Sequence, residues 1–296
     1  MNTPLVIPTA EPFLYTGNRI GCLLVHGFTG TPKEMFPIGE FLAQKGLTIM
    51  GIRLAGHATN MKDITRMQWQ DWLANIEDGL SMLKNITDVQ FIIGLSMGGI
   101  LSLIASAFYP FEGAVIYSAP YDTPDSWQKK MLPVLKYLIR GVPKGPSDWQ
   151  NPEAEKDHVC YPVYPTAAIP QYLAAQETMQ KLLSQVKIPV LLIYSKMDKT
   201  ATPSHMQSIY NQLGSTNKKM ILLLSMLSFL WSGGMAPAAE RKATPGQAAP
   251  VEKVFTGENR GGDGVGRGLN SAYPGTVVGL AKFLRSNLQA QAKCFC

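Results

Sequence analysis

Phe91-Ile92-Ile93-Gly94-Leu95-Ser96-Met97-Gly98-Gly99-Ile100 is the stretch that decides the fold. An apolar strand pattern runs directly into Gly-x-Ser-x-Gly and out into an apolar helix pattern carried by Ile100, Leu101, Leu103 and Ile104. A serine on so tight a strand-to-helix turn needs neighbours without a Cβ two positions away on either side, and Gly94 and Gly98 supply them. The turn lifts the Ser96 hydroxyl above the sheet edge, with a helix N-terminus behind it to favour developing negative charge. Small residues collect in any turn, so the five-residue pattern alone says little. Framed by a strand and a helix, Ser96 is the candidate nucleophile.

Upstream, Ile20-Gly21-Cys22-Leu23-Leu24-Val25 reads as a buried strand opening into His26-Gly27-Phe28-Thr29-Gly30. Gly27 lets the backbone come close to whatever Ser96 attacks. His26 is read as a hydrogen-bonding residue that fixes this turn. Thr31-Pro32-Lys33-Glu34 predicts a capping box opening a helix that runs to about Gln44. A strand from Leu47 to Ile52 follows, and Trp72, Leu73, Ile76, Leu80 and Leu83 then mark the core face of an amphipathic helix. Further strands are expected over Val89 to Ile93, Gly113 to Tyr117, Lys187 to Tyr194 and Lys218 to Leu224, with a helix from Pro203 or Ser204 to Leu213. This alternation predicts an α/β protein with a mostly parallel sheet covered on both faces.

At 296 residues and 46% hydrophobic, the chain can bury a full core. Its net charge of +6 is spread along the sequence, which argues against nucleic acid as a partner. The start at Asn2-Thr3-Pro4 is polar and lacks the order of a secretory signal. Cys22, Cys160, Cys294 and Cys296 show no metal-ligand spacing, so no metal site is expected and a reducing, cytoplasmic compartment fits. Cys22 falls in a core strand, where a thiol acts as a small hydrophobe. His158 and His205 are read as surface residues.

With these motifs in place, the chain resembles the bacterial carboxylesterases and monoacylglycerol lipases of the α/β-hydrolase fold. The shared text is Leu24-Val25-His26-Gly27-Phe28-Thr29-Gly30, Arg53-Leu54-Ala55-Gly56-His57, Gly94-Leu95-Ser96-Met97-Gly98-Gly99, Ser118-Ala119-Pro120 and Tyr194-Ser195-Lys196-Met197-Asp198. It extends from about Glu11 to Leu223, and departs at Ala58, where the family usually reads Gly-His-Gly. The resemblance implies a hydrolase core over residues 1–120 and 186–224, with a cap inserted over 121–185. That insertion is rich in proline and aromatic residues, among them Tyr161, Tyr164 and Tyr172.

The resemblance also implies the chemistry. Ser96 attacks an ester carbonyl, the backbone amides of Phe28 and Met97 hold the oxyanion, and Asp198 orients a histidine base. Substrates are small acyl esters, short- or medium-chain monoacylglycerols included. No metal or organic cofactor is called for, and no stable membrane insertion is expected. A serine at the elbow leaves thioester, acyl-transfer and peptide chemistry open, since fold does not set substrate.

One part is missing. The family's histidine belongs in the loop after the last predicted strand, yet the chain has only His26, His57, His158 and His205. From Ser225 the text becomes rich in Gly, Ala and Pro, and it resembles the family again only in Val278-Gly279-Leu280-Ala281-Lys282-Phe283-Leu284-Arg285-Ser286. Residues 225–276 are therefore aberrant, with 277–296 read as a C-terminal core helix and tail. A shifted reading frame accounts best for alien text between matching flanks; a genuine insertion and a membrane or signal-like element are the alternatives. Gly and Pro content over 233–275 predicts little order. His205 is a poor stand-in for the base, because it follows Asp198 on a helix instead of lying beyond the last strand. The competing function is a non-catalytic relative that binds a small apolar ligand.

Overall fold

Side chains alternate between the two faces of a strand, so the near-continuous apolar runs of the central strands give each two apolar faces, and both are buried. The computed structural model describes residues 5–124, 131–132, 134, 137–144, 156–223 and 283. Its strands are β1 (Phe13–Tyr15), β2 (Ile20–Val25), β3 (Thr48–Ile52), β4 (Val89–Leu95), β5 (Gly113–Tyr117), β6 (Gly141–Pro143), β7 (Val163–Pro165), β8 (Val190–Ser195) and β9 (Lys218–Leu223). Its helices are α1 (Phe36–Gln44), α2 (Met61–Ile64), α3 (Trp69–Lys84), α4 (Met97–Phe108), α5 (Ile169–Leu182) and α6 (Pro203–Gln212).

Seven strands form one sheet in the order β1-β3-β2-β4-β5-β8-β9, parallel except for β1 at one edge. β6 and β7 pair antiparallel in a separate ribbon within the excursion between β5 and β8. On one side of the sheet, Leu23, Ile92, Ile116 and Leu192 pack with Trp72 and Ile76 of α3, Ile100 and Leu101 of α4, and Met179 of α5. On the other, Leu24, Ile93, Val115 and Ile193 pack with Ile38, Phe41 and Leu42 of α1 and with Phe283. Trp72, fully buried, donates its indole N–H to the Ala55 carbonyl at 3.1 Å, so it is core as its spacing indicates.

Parallel pairing brings the C-terminal ends of β4, β5, β8 and β9 to one edge of the sheet, the usual site of ligand crevices in such folds. Among the described residues no helix is long and apolar enough to cross a membrane. The segment 225–276, with the expectation of low order, and the helix expected from 277 lie outside the described residues apart from Phe283.

Candidate active site

Ser96 joins β4 to α4 with φ 54° and ψ −116°, a left-handed conformation that a residue with a Cβ rarely adopts. Such strain persists only where surrounding structure over-determines it. Here the Ser96 amide donates to the Tyr117 carbonyl at 2.8 Å, and the Ser96 carbonyl accepts from Gly99 and Ile100 at 2.9 and 3.1 Å. A Cβ on Gly94 would stand 2.2 Å from the Gly98 carbonyl oxygen, and one on Gly98 would stand 2.2 Å from that of Val25. The elbow thus closes on itself and presses the start of α4 against the end of β2.

That contact brings in the second motif. The Cβ position of Gly27 lies only 3.6 Å from the Ser96 Cβ. Leu54 donates its amide to His26 Nε2 at 3.1 Å, which leaves the proton on Nδ1 to be donated to the Gly27 carbonyl at 2.9 Å. His26 therefore fixes the turn, and burial pushes it towards the neutral form. The structure brings Ser96, Met97 and the loop carrying Phe28 together. Met97 is the first residue of α4, where helical amides have no internal acceptor.

The expected capping box at Thr31 and Glu34 does not form. Pro32–Met35 makes a single 3₁₀ turn, Thr31 makes no side-chain cap, and α1 begins only at Phe36. Glu34 turns inward instead: Oε2 accepts the Gly27 amide at 3.0 Å, and Oε1 faces His158 Nε2 at 3.0 Å. Burial pushes the Glu34 carboxyl up, but the His158 hydrogen bond and charge outweigh it and hold it below the ordinary range. Thr31 donates its hydroxyl to the Val159 carbonyl. His158, read as a surface residue, is only 17% exposed.

Phe28 sits in an aromatic cluster drawn from several elements. Its ring stacks on Tyr164 of β7 at 5.9 Å and on Tyr172 of α5 at 5.2 Å, with Trp72 at 6.1 Å and His57 at 6.4 Å. His57 is buried and pushed well below its ordinary pKa by desolvation and then by His26; its Nδ1 donates to the Ala55 carbonyl. Ala58, where the family pattern has glycine, takes φ 55°.

Asp198 lies beyond the end of β8, on the same sheet edge as Ser96 but separated from it by β5, two strand spacings or about 10 Å. Its Oδ1 accepts the amides of Thr200 and Ala201, both at 2.8 Å, which closes the turn leading to α6. The end of β9 runs alongside, since Ser195 pairs with Leu223 and the Lys196 amide reaches the Leu223 carbonyl at 2.8 Å. The C-terminal end of β9 consequently lies next to the Asp198 turn. His205 does not reach that turn: its Nε2 meets Asp122 Oδ1 at 3.1 Å. At 15% exposure it is also more buried than its sequence position indicates.

A family model, described as serine aminopeptidase, S33 (Hydrolase_4), matches residues 18–226. The chain belongs to this family of serine hydrolases. A thermostable monoacylglycerol lipase of Bacillus sp. (strain H-257) is 32% identical over 74% of this S33-family chain and 86% of its own length. A carboxylesterase of Bacillus subtilis (strain 168) is 26% identical over 72% and 86%. Among solved structures, a metagenome-derived lipolytic enzyme, from a study of LipS and LipT, superposes with TM-score 0.69 at 34% identity, covering 74% of this chain and 89% of that one. The Paleococcus ferrophilus monoacylglycerol lipase shares the α/β-hydrolase fold at 19% identity and TM-score 0.63, over 72% and 88% of the two chains.

What sequence reasoning missed in this hydrolase is the polar cluster of Glu34, Lys144, His158 and Cys160. Residues 34 and 158 are far apart in the chain, and no periodic pattern marks either as buried.

Proposed function

We infer that the chain is a serine carboxylic-ester hydrolase for small acyl esters, short- or medium-chain monoacylglycerols among them. The observation that carries this reading is the convergence of the strained Ser96 elbow with the Phe28 loop beside an aromatic cluster suited to an acyl chain. The names of its Bacillus relatives, a monoacylglycerol lipase and a carboxylesterase, point the same way.

In this reading the Ser96 oxygen bonds to the ester carbonyl carbon, and the amides of Phe28 and Met97 take the negative charge that develops on the carbonyl oxygen. Expulsion of the alcohol leaves an acyl-Ser96, which water then hydrolyses. Residues 121–185 act as a cap, with Tyr164 and Tyr172 closing the acyl side over Phe28. Asp198 serves to orient an imidazole, its Oδ2 left for that purpose while Oδ1 holds the turn.

None of the four histidines fills that place. His26 and His57 are buried supports of the loops, His158 pairs with Glu34, and His205 pairs with Asp122. The base belongs to the loop that follows Leu223, and residues 225–276 contain no histidine. The chain accordingly carries nucleophile, oxyanion loop and acid without a base. Free thiols at Cys22 and Cys160 suit a reducing compartment, and we place the protein in the cytoplasm.

A fluorophosphonate probe together with a p-nitrophenyl acyl ester tests the reading on the chain whose residues 225–276 are replaced by a short loop containing Gly-His, so that a base is supplied. Covalent labelling that maps to Ser96, with both labelling and turnover abolished in a folded Ser96→Ala variant, is the expected result. Saturable binding of an acyl ester with no turnover and no label at Ser96 would favour the ligand-binding alternative.

A further inference from the structure

We propose that Cys160 is a nucleophilic thiol site, assembled from Lys144, His158 and Glu34, that exchanges with low-molecular-weight disulfides. Lys144 Nζ donates to Cys160 Sγ at 3.2 Å. His158 hydrogen-bonds the same sulfur and, through Nε2, the Glu34 carboxylate at 3.0 Å. Glu34 is itself held by the Gly27 amide, so the imidazole sits between a fixed carboxylate and the sulfur. The sequence order is sulfur, imidazole, carboxylate, with an ammonium added beside the sulfur. This is the electropositive, partly exposed surrounding that makes a cysteine reactive.

The ionisable groups facing the sulfur are Lys144, His158, Glu34 behind the imidazole, and the Tyr164 phenol. Burial raises the Cys160 thiol, but the hydrogen bond and charge of His158, followed by Lys144, bring it below the ordinary value. Burial acts against the charged form of His158, and its bonds to Cys160 and Glu34 reverse that and lift it to about 9. At neutral pH the imidazole is therefore charged, and it and Lys144 favour the thiolate of Cys160 over that of an ordinary cysteine. Cys22 shows the contrast: enclosed in β2, its thiol is pushed up to about 12 by burial. Only one of these two cysteines is built to react.

In the exchange, the Cys160 thiolate attacks one sulfur of the disulfide. A new S–S bond forms, the reagent's S–S bond breaks, and the released thiolate takes up a proton at the pH of the solution. Cys160 is oxidised to the mixed disulfide as the other half of the reagent is reduced. The adduct would stand on the segment that clasps the Phe28 loop, where Val159 accepts the Thr31 hydroxyl and the Tyr161 amide donates to the Thr29 carbonyl at 2.9 Å.

The test needs no ester turnover, so it stands apart from the esterase reading. The full chain carrying Cys294→Ser and Cys296→Ser is mixed with dithiodipyridine at about pH 6, where an ordinary thiol is almost wholly protonated. Release of pyridinethione is followed by absorbance and the adduct located by peptide mapping. One fast equivalent on Cys160 is expected, absent in Cys160→Ser and formed more slowly with oxidised glutathione. His158→Gln and Lys144→Met should each slow it about tenfold. Lys144→Met changes a partly exposed side chain and carries the test if His158→Gln disturbs folding. A fast phase mapping elsewhere, or a Cys160 rate unchanged in Lys144→Met, overturns the proposal.

Discussion

The Glu34 carboxylate accepts the Gly27 amide at 3.0 Å, while His26 holds the Gly27 carbonyl at 2.9 Å. Both polar groups of the residue preceding Phe28 are thus fixed from opposite sides of the chain. Because Gly27 abuts Ser96, the course of the loop into Phe28 beside that serine depends on this pair of bonds. Glu34 also ties the loop to residue 158, so loop and excursion are stabilised as one unit.

The Glu34–His158 pair makes stability depend on pH. His158 is raised from 6.5 to about 9, so its contribution is complete below about pH 6.5 and is lost as pH rises through about 9. Glu34 is held below 4.5, so its share is present above about pH 4.5 and fades on further acidification. His158→Gln is expected to cost about 1–2 kcal/mol near pH 7 and progressively less beyond about pH 9. Urea titrations of both proteins across that range measure it. A penalty as large at about pH 10 as at pH 7 would show that charge plays no part.

Gly98→Ala should be far worse than a usual glycine-to-alanine change in a helix. The added methyl meets two backbone oxygens, those of Val25 at 2.2 Å and His26 at 2.6 Å, neither of which belongs to a movable side chain. We expect a loss of about 3 kcal/mol or more in unfolding free energy, measured by urea titration. Near-wild-type thermal stability would mean that α4 does not press on β2 as described.

Ester turnover by the chain as it stands is expected to be low. Removing the base of such a triad costs on the order of 10⁶ in turnover, because an unassisted serine hydroxyl is neutral and a weak nucleophile. Replacing residues 225–276 by a short loop containing Gly-His should raise turnover by several orders of magnitude, since β9 ends beside the Asp198 turn. His205→Ala should leave the rate unchanged in both backgrounds. An ordinary enzyme rate in the unmodified chain, lost with His205→Ala, would identify His205 as the base.

Several features follow from local pattern alone. The strands and helices from Ile20 to Leu223 are legible because their apolar residues form short continuous runs or recur at helical spacing. The elbow is legible because a turn this tight excludes side chains at Gly94 and Gly98, whatever lies around it. That no histidine follows His205 is legible in the same way. The roles of Glu34, His158 and Cys160 are of another kind. Thr31 to Glu34 has the local form of a capping box, worth about 1 kcal/mol, and tertiary structure overrides it. A buried carboxylate able to bond both the Gly27 amide and an imidazolium gains more than it would at a solvated helix end. His158 reaches Glu34 only when the excursion folds back over the sheet edge. No window of sequence around residue 34 contains it, so only the tertiary structure could decide this pairing.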